Sequence, residues 1–124
     1  MNTDAAIAVV GTFDSKAEEH LFLKEQIEQR GIRALTINVG TRTSSPVPVD
    51  IYLFQNVTKN APDGLEGRDN IINAMLHAAK VQINNLHGDG KISGIISAGG
   101  GTGTHICTTI MRELPMGVPK VMVS

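Results

Sequence analysis

The chain has 124 residues, 41 % of them apolar, and a formal net charge of −1. That length holds one domain or part of one, and the charge balance supplies no basic face for nucleic acid or an anionic membrane. With three Phe, one Tyr and no Trp, it also lacks the stacking platforms of single-strand binders, so no direct nucleic-acid binding is expected.

Ala5 to Val10 is a continuous apolar run, the pattern of a strand covered on both faces of a parallel sheet. Gly11-Thr12-Phe13-Asp14-Ser15 breaks it. Ser15 followed by Glu18 is a capping-box pattern that predicts a helix from near Lys16. Its core face would be Ala17, Leu21, the Lys24 stem and Ile27, widened by Phe22 and Leu23, and Gly31 is a natural stop. Ala34 to Val39 reads as a second strand.

Thr41 to Pro48 is polar and proline-bearing and reads as a loop, and Val49 to Phe54 as a short strand. Asn56 to Asp69, with Pro62, Gly64 and Gly67, reads as an extended connection, a length that usually marks function or disorder. From Asn70 a helical face returns at Ile72, Met75, Leu76, Ala79, Ile83 and Leu86, with Asp69 as its cap. His87 to Gly90 ends it in a turn.

An apolar run, Ile92 to Ile96, then leads into Gly99, Gly100, Gly101, Thr102, Gly103 and Thr104, four glycines within five residues. After them Ile106, Cys107, Ile110, Met111 and Leu114 form one helical face. Strand, glycine-rich turn and helix leave backbone N–H groups converging on one point, where the helix dipole favours an anion. Thr102 and Thr104 add hydroxyl donors. This is not a P-loop, because no Gly-Lys-Ser/Thr follows, and Thr104 replaces the last glycine of a G-x-G-x-x-G fingerprint. A phosphate or carboxylate cradle is expected, with a packing turn as the plainer alternative.

Val118 to Val123 begins a further strand, and the sequence reads as a piece of something larger. Cys107, the single cysteine, is expected to be a buried inert thiol. His20, His77 and His87 lack metal-ligand spacing and are expected at the surface, as is His105. No apolar stretch approaches a membrane span and no signal peptide is evident, so a soluble, cytoplasmic protein is expected.

The element order predicts an α/β fold: a Rossmann-like, open, mostly parallel sheet with helices on both faces. In such sheets ligands bind beyond the strand carboxyl ends. Gly11, Thr12, Asp14, Ser15 and Lys16 lie at one such end and the glycine loop at another, so the two would meet. Asp14 could coordinate a metal on a phosphate or hold a ribose hydroxyl and Lys16 could neutralise a phosphate, while their plainer roles are capping and solvation. No acid pair or Ser-His-Asp set specifies a reaction.

These two motifs also carry a resemblance. Val10-Gly11-Thr12-Phe13-Asp14-Ser15-Lys16-Ala17-Glu18-Glu19 resembles the opening signature of the uncharacterised family of the tomato mosaic virus resistance protein. Gly94 to Ser124, through Leu114-Pro115-Met116-Gly117-Val118-Pro119-Lys120, resembles its second signature. The resemblance implies an ATP-binding domain of two Rossmann-like halves, of which residues 1–124 would be the front of the first. It maps Gly11, Thr12, Asp14 and Lys16 onto the first motif, with Ser15 in place of Thr, and Gly99, Gly100, Gly103 and Thr104 onto the glycine loop. Gly101 stands where the family has Ser, and Thr102 where it has Gly. The resulting expectation is a module for ATP with Mg²⁺, with a regulatory or interaction role and a tendency to homo-oligomerise. The alternatives are part of an enzyme acting on a phosphorylated or carboxylated metabolite, or a protein-interaction fragment without an intact ligand site.

Overall fold

The computed structural model describes residues 5–41, 47–53, 68–99 and 102–123. In chain order these form β1 (Ala6–Gly11), α1 (Ala17–Gln29), β2 (Ala34–Asn38) and β3 (Ile51–Tyr52). There follow α2 (Arg68–Gly88), β4 (Ile92–Ala98), α3 (Thr102–Glu113) and β5 (Lys120–Val123). The strands make one all-parallel sheet in the order β3-β2-β1-β4-β5. It is the open α/β arrangement that continuous apolar strands separated by amphipathic helices predict.

Register decides which side chains face which helix. Val10 is level with Ile37, and Ala8 with Ile95, so these residues share one face. Against it pack Met75, Ala79, Ile83 and Leu86 of α2 and Ile106, Cys107 and Ile110 of α3. Each large aliphatic chain removed from water here contributes about 1.5–3 kcal/mol. A Lys80–Glu113 ion pair at 3.3 Å joins the exposed sides of α2 and α3. α1 covers the opposite face, over β1, β2 and the edge of β4. Helices on both faces, expected from the element order, are therefore present.

Three local expectations need correction. The capping box does not form: the N-cap position falls on Lys16, without a side-chain cap. The Thr12 carbonyl accepts from the N–H groups of both Ser15 (3.1 Å) and Lys16 (2.7 Å), which tightens the turn and leaves Ser15 one residue short of the cap. The Ser15 hydroxyl donates to Thr12 Oγ1 instead (3.2 Å). Phe22, expected in the apolar stripe of α1, is 59 % exposed, whereas His20, expected at the surface, is fully buried. The inward line of the helix runs through His20, Leu23 and Ile27, at i, i+3 and i+7, and this rotation turns Phe22 outward. Finally, α2 starts at Arg68 rather than Asn70, which puts Asp69 inside the first turn and not at the cap.

Other boundaries agree with the sequence reading. Gly31 ends α1 with a left-handed backbone (φ 79°), its N–H bonded to the Glu28 carbonyl and that of Ile32 to the Ile27 carbonyl. The short strand within Val49 to Phe54 is β3, held to β2 by Asp50, whose carboxylate accepts from the Thr36 N–H (2.9 Å) and hydroxyl (3.0 Å). The connection expected over Asn56 to Asp69 lies outside the described residues up to position 67. Among the described residues, no helix is long and apolar enough to cross a membrane.

Candidate site at the carboxyl ends of β1 and β4

β1 and β4 are neighbours in the sheet, but the chain leaves them in opposite directions, from β1 towards β2 and from β4 towards β5. Strand order reverses between them, the point at which open α/β sheets place a ligand crevice. Gly11 to Lys16 would form one lip of such a crevice, and Gly99 with the first turn of α3 the other. The two motifs singled out in the sequence are thus brought to one edge. Gly100 and Gly101 lie outside the described residues, while Thr102 and Gly103 open α3 with helical backbone.

The first lip is pinned from below. Phe13 is fully buried and serves as its plug. The Phe13 N–H donates to Asn38 Oδ1 (3.1 Å), which also accepts from the Gly40 N–H (2.8 Å). Two donors on one oxygen fix the orientation of the Asn38 amide. Its Nδ2 is buried and has no partner among the described residues. The Asp14 side chain lies against Gly40, where a Cβ would overlap the carboxylate. Thr12 and Asp14 are half-buried, and Ser15 and Lys16 are exposed along the rim.

His20 ties this lip to the other. Its ring lies over Gly11, where any Cβ would overlap the imidazole, and beside Phe13, with centroids 5.0 Å apart. Nδ1–H donates to the Lys16 carbonyl (2.7 Å), and Nε2 accepts the N–H of Ala98 (3.2 Å), the last residue of β4. The Ala98 donor requires a lone pair on Nε2, so the ring is neutral with its proton on Nδ1. Burial, against smaller opposing effects of the Lys16 carbonyl and Glu19, holds its pKa below the usual 6.5.

On the second lip, Gly99 continues the sheet by donating to the Val123 carbonyl (2.9 Å). The first turn of α3 carries no acidic residue, so none of its own side chains offsets the helix dipole there. Thr108 and Thr109 satisfy their hydroxyls on the carbonyls of Thr104 (2.8 Å) and His105 (2.7 Å), four residues back. Thr104, at the third position of the helix, has no carbonyl one helical turn behind it within α3. Its Oγ1 is buried and has no partner among the described residues. Such atoms are uncommon in folded proteins and mark unmet bonding capacity.

Cys107 is buried one turn further on, accepting from the Ser97 hydroxyl (3.1 Å) and facing the Val10 carbonyl (3.5 Å). Burial pushes its thiol up to about 11, as expected of an inert core cysteine. His105 and His77 are exposed. Among the described residues no group of three or more His, Cys, Asp or Glu side chains is placed to hold a metal.

The sequence reading missed His20 and Asn38. His20 had one usable signal, its helical spacing from Leu23 and Ile27. For Asn38 the signal was a polar residue closing an apolar strand just before Gly40.

Residues 5–124 match the N-terminal domain of an uncharacterised protein family, UPF0261. A UPF0261 protein of Mesorhizobium japonicum is 37 % identical over 124 residues, covering 95 % of this chain and 30 % of the relative. A UPF0261 protein of Clostridium tetani is 34 % identical over 129 residues, with the same coverage. The tomato ToMV susceptible protein tm-1(GCR26) is 26 % identical over 136 residues, covering 93 % of this chain and 18 % of the relative. The chain therefore spans about 30 % of the length of these bacterial relatives.

Proposed function

The chain belongs to the uncharacterised family UPF0261, and we propose that it binds a nucleotide, ATP with Mg²⁺, at the crevice between β1 and β4 in a regulatory or interaction role. The observation that supports this reading is the Thr104 hydroxyl, buried in the first turn of α3 and without a partner among the described residues. A phosphate oxygen beside that turn would accept from the hydroxyl and lie on the positive end of the helix dipole. The glycines of 99–103 would let the phosphate approach the backbone closely. Asn38 Nδ2, a second buried donor without a partner, adds unmet donor capacity at the carboxyl end of β2, the strand beside β1.

Mg²⁺ is held in such sites by phosphate oxygens, water and one or two protein carboxylates, so a single Asp14 suits it. The ion would neutralise phosphate charge, and Lys16 on the rim would add a counter-charge. No described arrangement of nucleophile and base calls for a reaction, which is why binding rather than turnover is proposed. A homo-oligomer is proposed as well, through the edge strand β5, whose Val121 and Val123 are about half exposed.

The reading is tested by Thr104→Val, which keeps the shape and removes the hydroxyl. Hydrogen bonds to charged groups are worth roughly 1.5–3 kcal/mol, so the affinity for ATP–Mg²⁺ should fall by about tenfold or more. Affinity equal to that of the unmodified chain would refute the assignment of Thr104 to the phosphate.

A further inference from the structure

His20 joins two segments 78 positions apart, through one acceptor atom whose lone pair exists only while the ring is neutral. It does so from a fully buried position. On its other side the same ring holds the Lys16 carbonyl at the start of α1, so it spans from the end of the first lip to the start of the second. We propose that His20 is a pH-responsive latch that keeps the two lips of the crevice in register, releasing the Ala98 amide and loosening the anion site when the ring takes up a proton.

The chemistry is a reversal at one atom. In the neutral ring Nε2 accepts from the Ala98 N–H. In the imidazolium, Nε2 carries a proton and two donors face each other, so the link becomes a repulsion and a buried N–H loses its partner. The absence of a side chain at Gly11 gives the ring its seat, because the imidazole occupies the volume a Cβ would fill there. The groups around the ring are few. Glu19, on the same helix, is the charge acting on it and favours protonation. β1 presents Gly11, β4 presents Ala98 and the loop presents Phe13, none of which titrates. Burial opposes protonation and sets the switch on the acid side of neutrality.

The functional consequence rests on the nucleotide reading above, whereas the latch itself does not, and the test separates them. The 124-residue chain, labelled with ¹⁵N, is titrated from pH 8 to pH 5 by NMR, following the His20 ring nitrogens and the Ala98 and Gly99 amides. At pH 8 the ring should be the Nδ1–H tautomer, with a coupling through the hydrogen bond to the Ala98 amide. On acidification the His20 ring and both amides should titrate together and the coupling should vanish. ATP–Mg²⁺ affinity should fall by about tenfold over the same range, the worth of one lost hydrogen bond.

His20→Gln offers a neutral acceptor at every pH, and its amide shifts and affinity should lose that pH response. His20→Phe fills the space without an acceptor and should bind as weakly at pH 8 as the unmodified chain does at pH 5. Joint titration with no nucleotide bound at any pH would uphold the latch and refute the nucleotide. An Nε2–H tautomer, a ring that stays neutral until the chain unfolds, or an Ala98 amide indifferent to the ring's titration would overturn the latch.

Discussion

Thr104 and Cys107 sit one turn apart on α3 and are treated oppositely by the fold, one left with an unmet hydroxyl and the other sealed with its needs met. Removing a buried, unpaired hydroxyl relieves a desolvation cost. Thr104→Val should therefore leave the unfolding midpoint in urea unchanged or raised even as it weakens nucleotide binding, a split that simple misfolding would not give. Cys107, with its thiol pushed up to about 11, is almost entirely un-ionised at pH 8. It should resist a thiol reagent in the folded chain and react at once in denaturant, and rapid native labelling would contradict its burial. His20 adds a pH dependence of fixed sign. Its folded pKa is lowered by burial from 6.5, so between the two values the unfolded chain holds the extra proton. Its contribution to stability is fully present above pH 6.5, declines as pH falls through the folded value, and changes no further below that. Urea midpoints at pH 7.5 and 5.5 should differ less for His20→Gln than for the unmodified chain, and an equal difference would refute this sign. At this scale the sequence is least informative: the hydroxyl of Thr104 was flagged by its place after the glycines, but the polar identity of His20 hid an inward position that only helix rotation discloses.

The loop from Gly11 to Lys16 shows how an element is fixed by what lies beneath it. Phe13 fills the space under the loop, and Asn38 holds its backbone from the neighbouring strand. Phe13→Ala would leave a cavity and an unsupported ring at His20, at a cost of roughly 3–5 kcal/mol. Gly11→Ala would drive a methyl group into the imidazole and should destabilise by about 1–3 kcal/mol through overpacking. Thermal unfolding of both variants checks these values, and an undiminished transition for Gly11→Ala would mean the ring can move aside. Strands and helices were legible because burial on both sheet faces leaves continuous apolar runs, and burial of one helix face leaves a 3.6-residue period. Helix starts were less so. Ser15 and Glu18 have the spacing of a capping box, yet the tight turn at Thr12 takes Ser15 out of reach, and tertiary anchoring by Phe13 prevails over local capping.

For the whole molecule, the strand order β3-β2-β1-β4-β5 does what alternating strands and helices in the sequence could only suggest. It sets β1 beside β4 and so joins two motifs far apart in the chain. The same order puts β5 at an edge with Val121 and Val123 about half exposed, and self-association through that edge should weaken on Val121→Lys, as read by sedimentation. An unchanged association constant would exclude β5 as the contact. The chain spans 30 % of the length of its bacterial relatives, so a full-length relative is tested beside it. The most direct test of the account is calorimetric titration of this chain, and of a full-length UPF0261 relative, with ATP–Mg²⁺ and with inorganic phosphate. ATP–Mg²⁺ should bind both, phosphate should compete with it, and Thr104→Val should weaken it in this chain. Absence of binding to either protein would contradict it and leave the glycine-rich turn as a packing device.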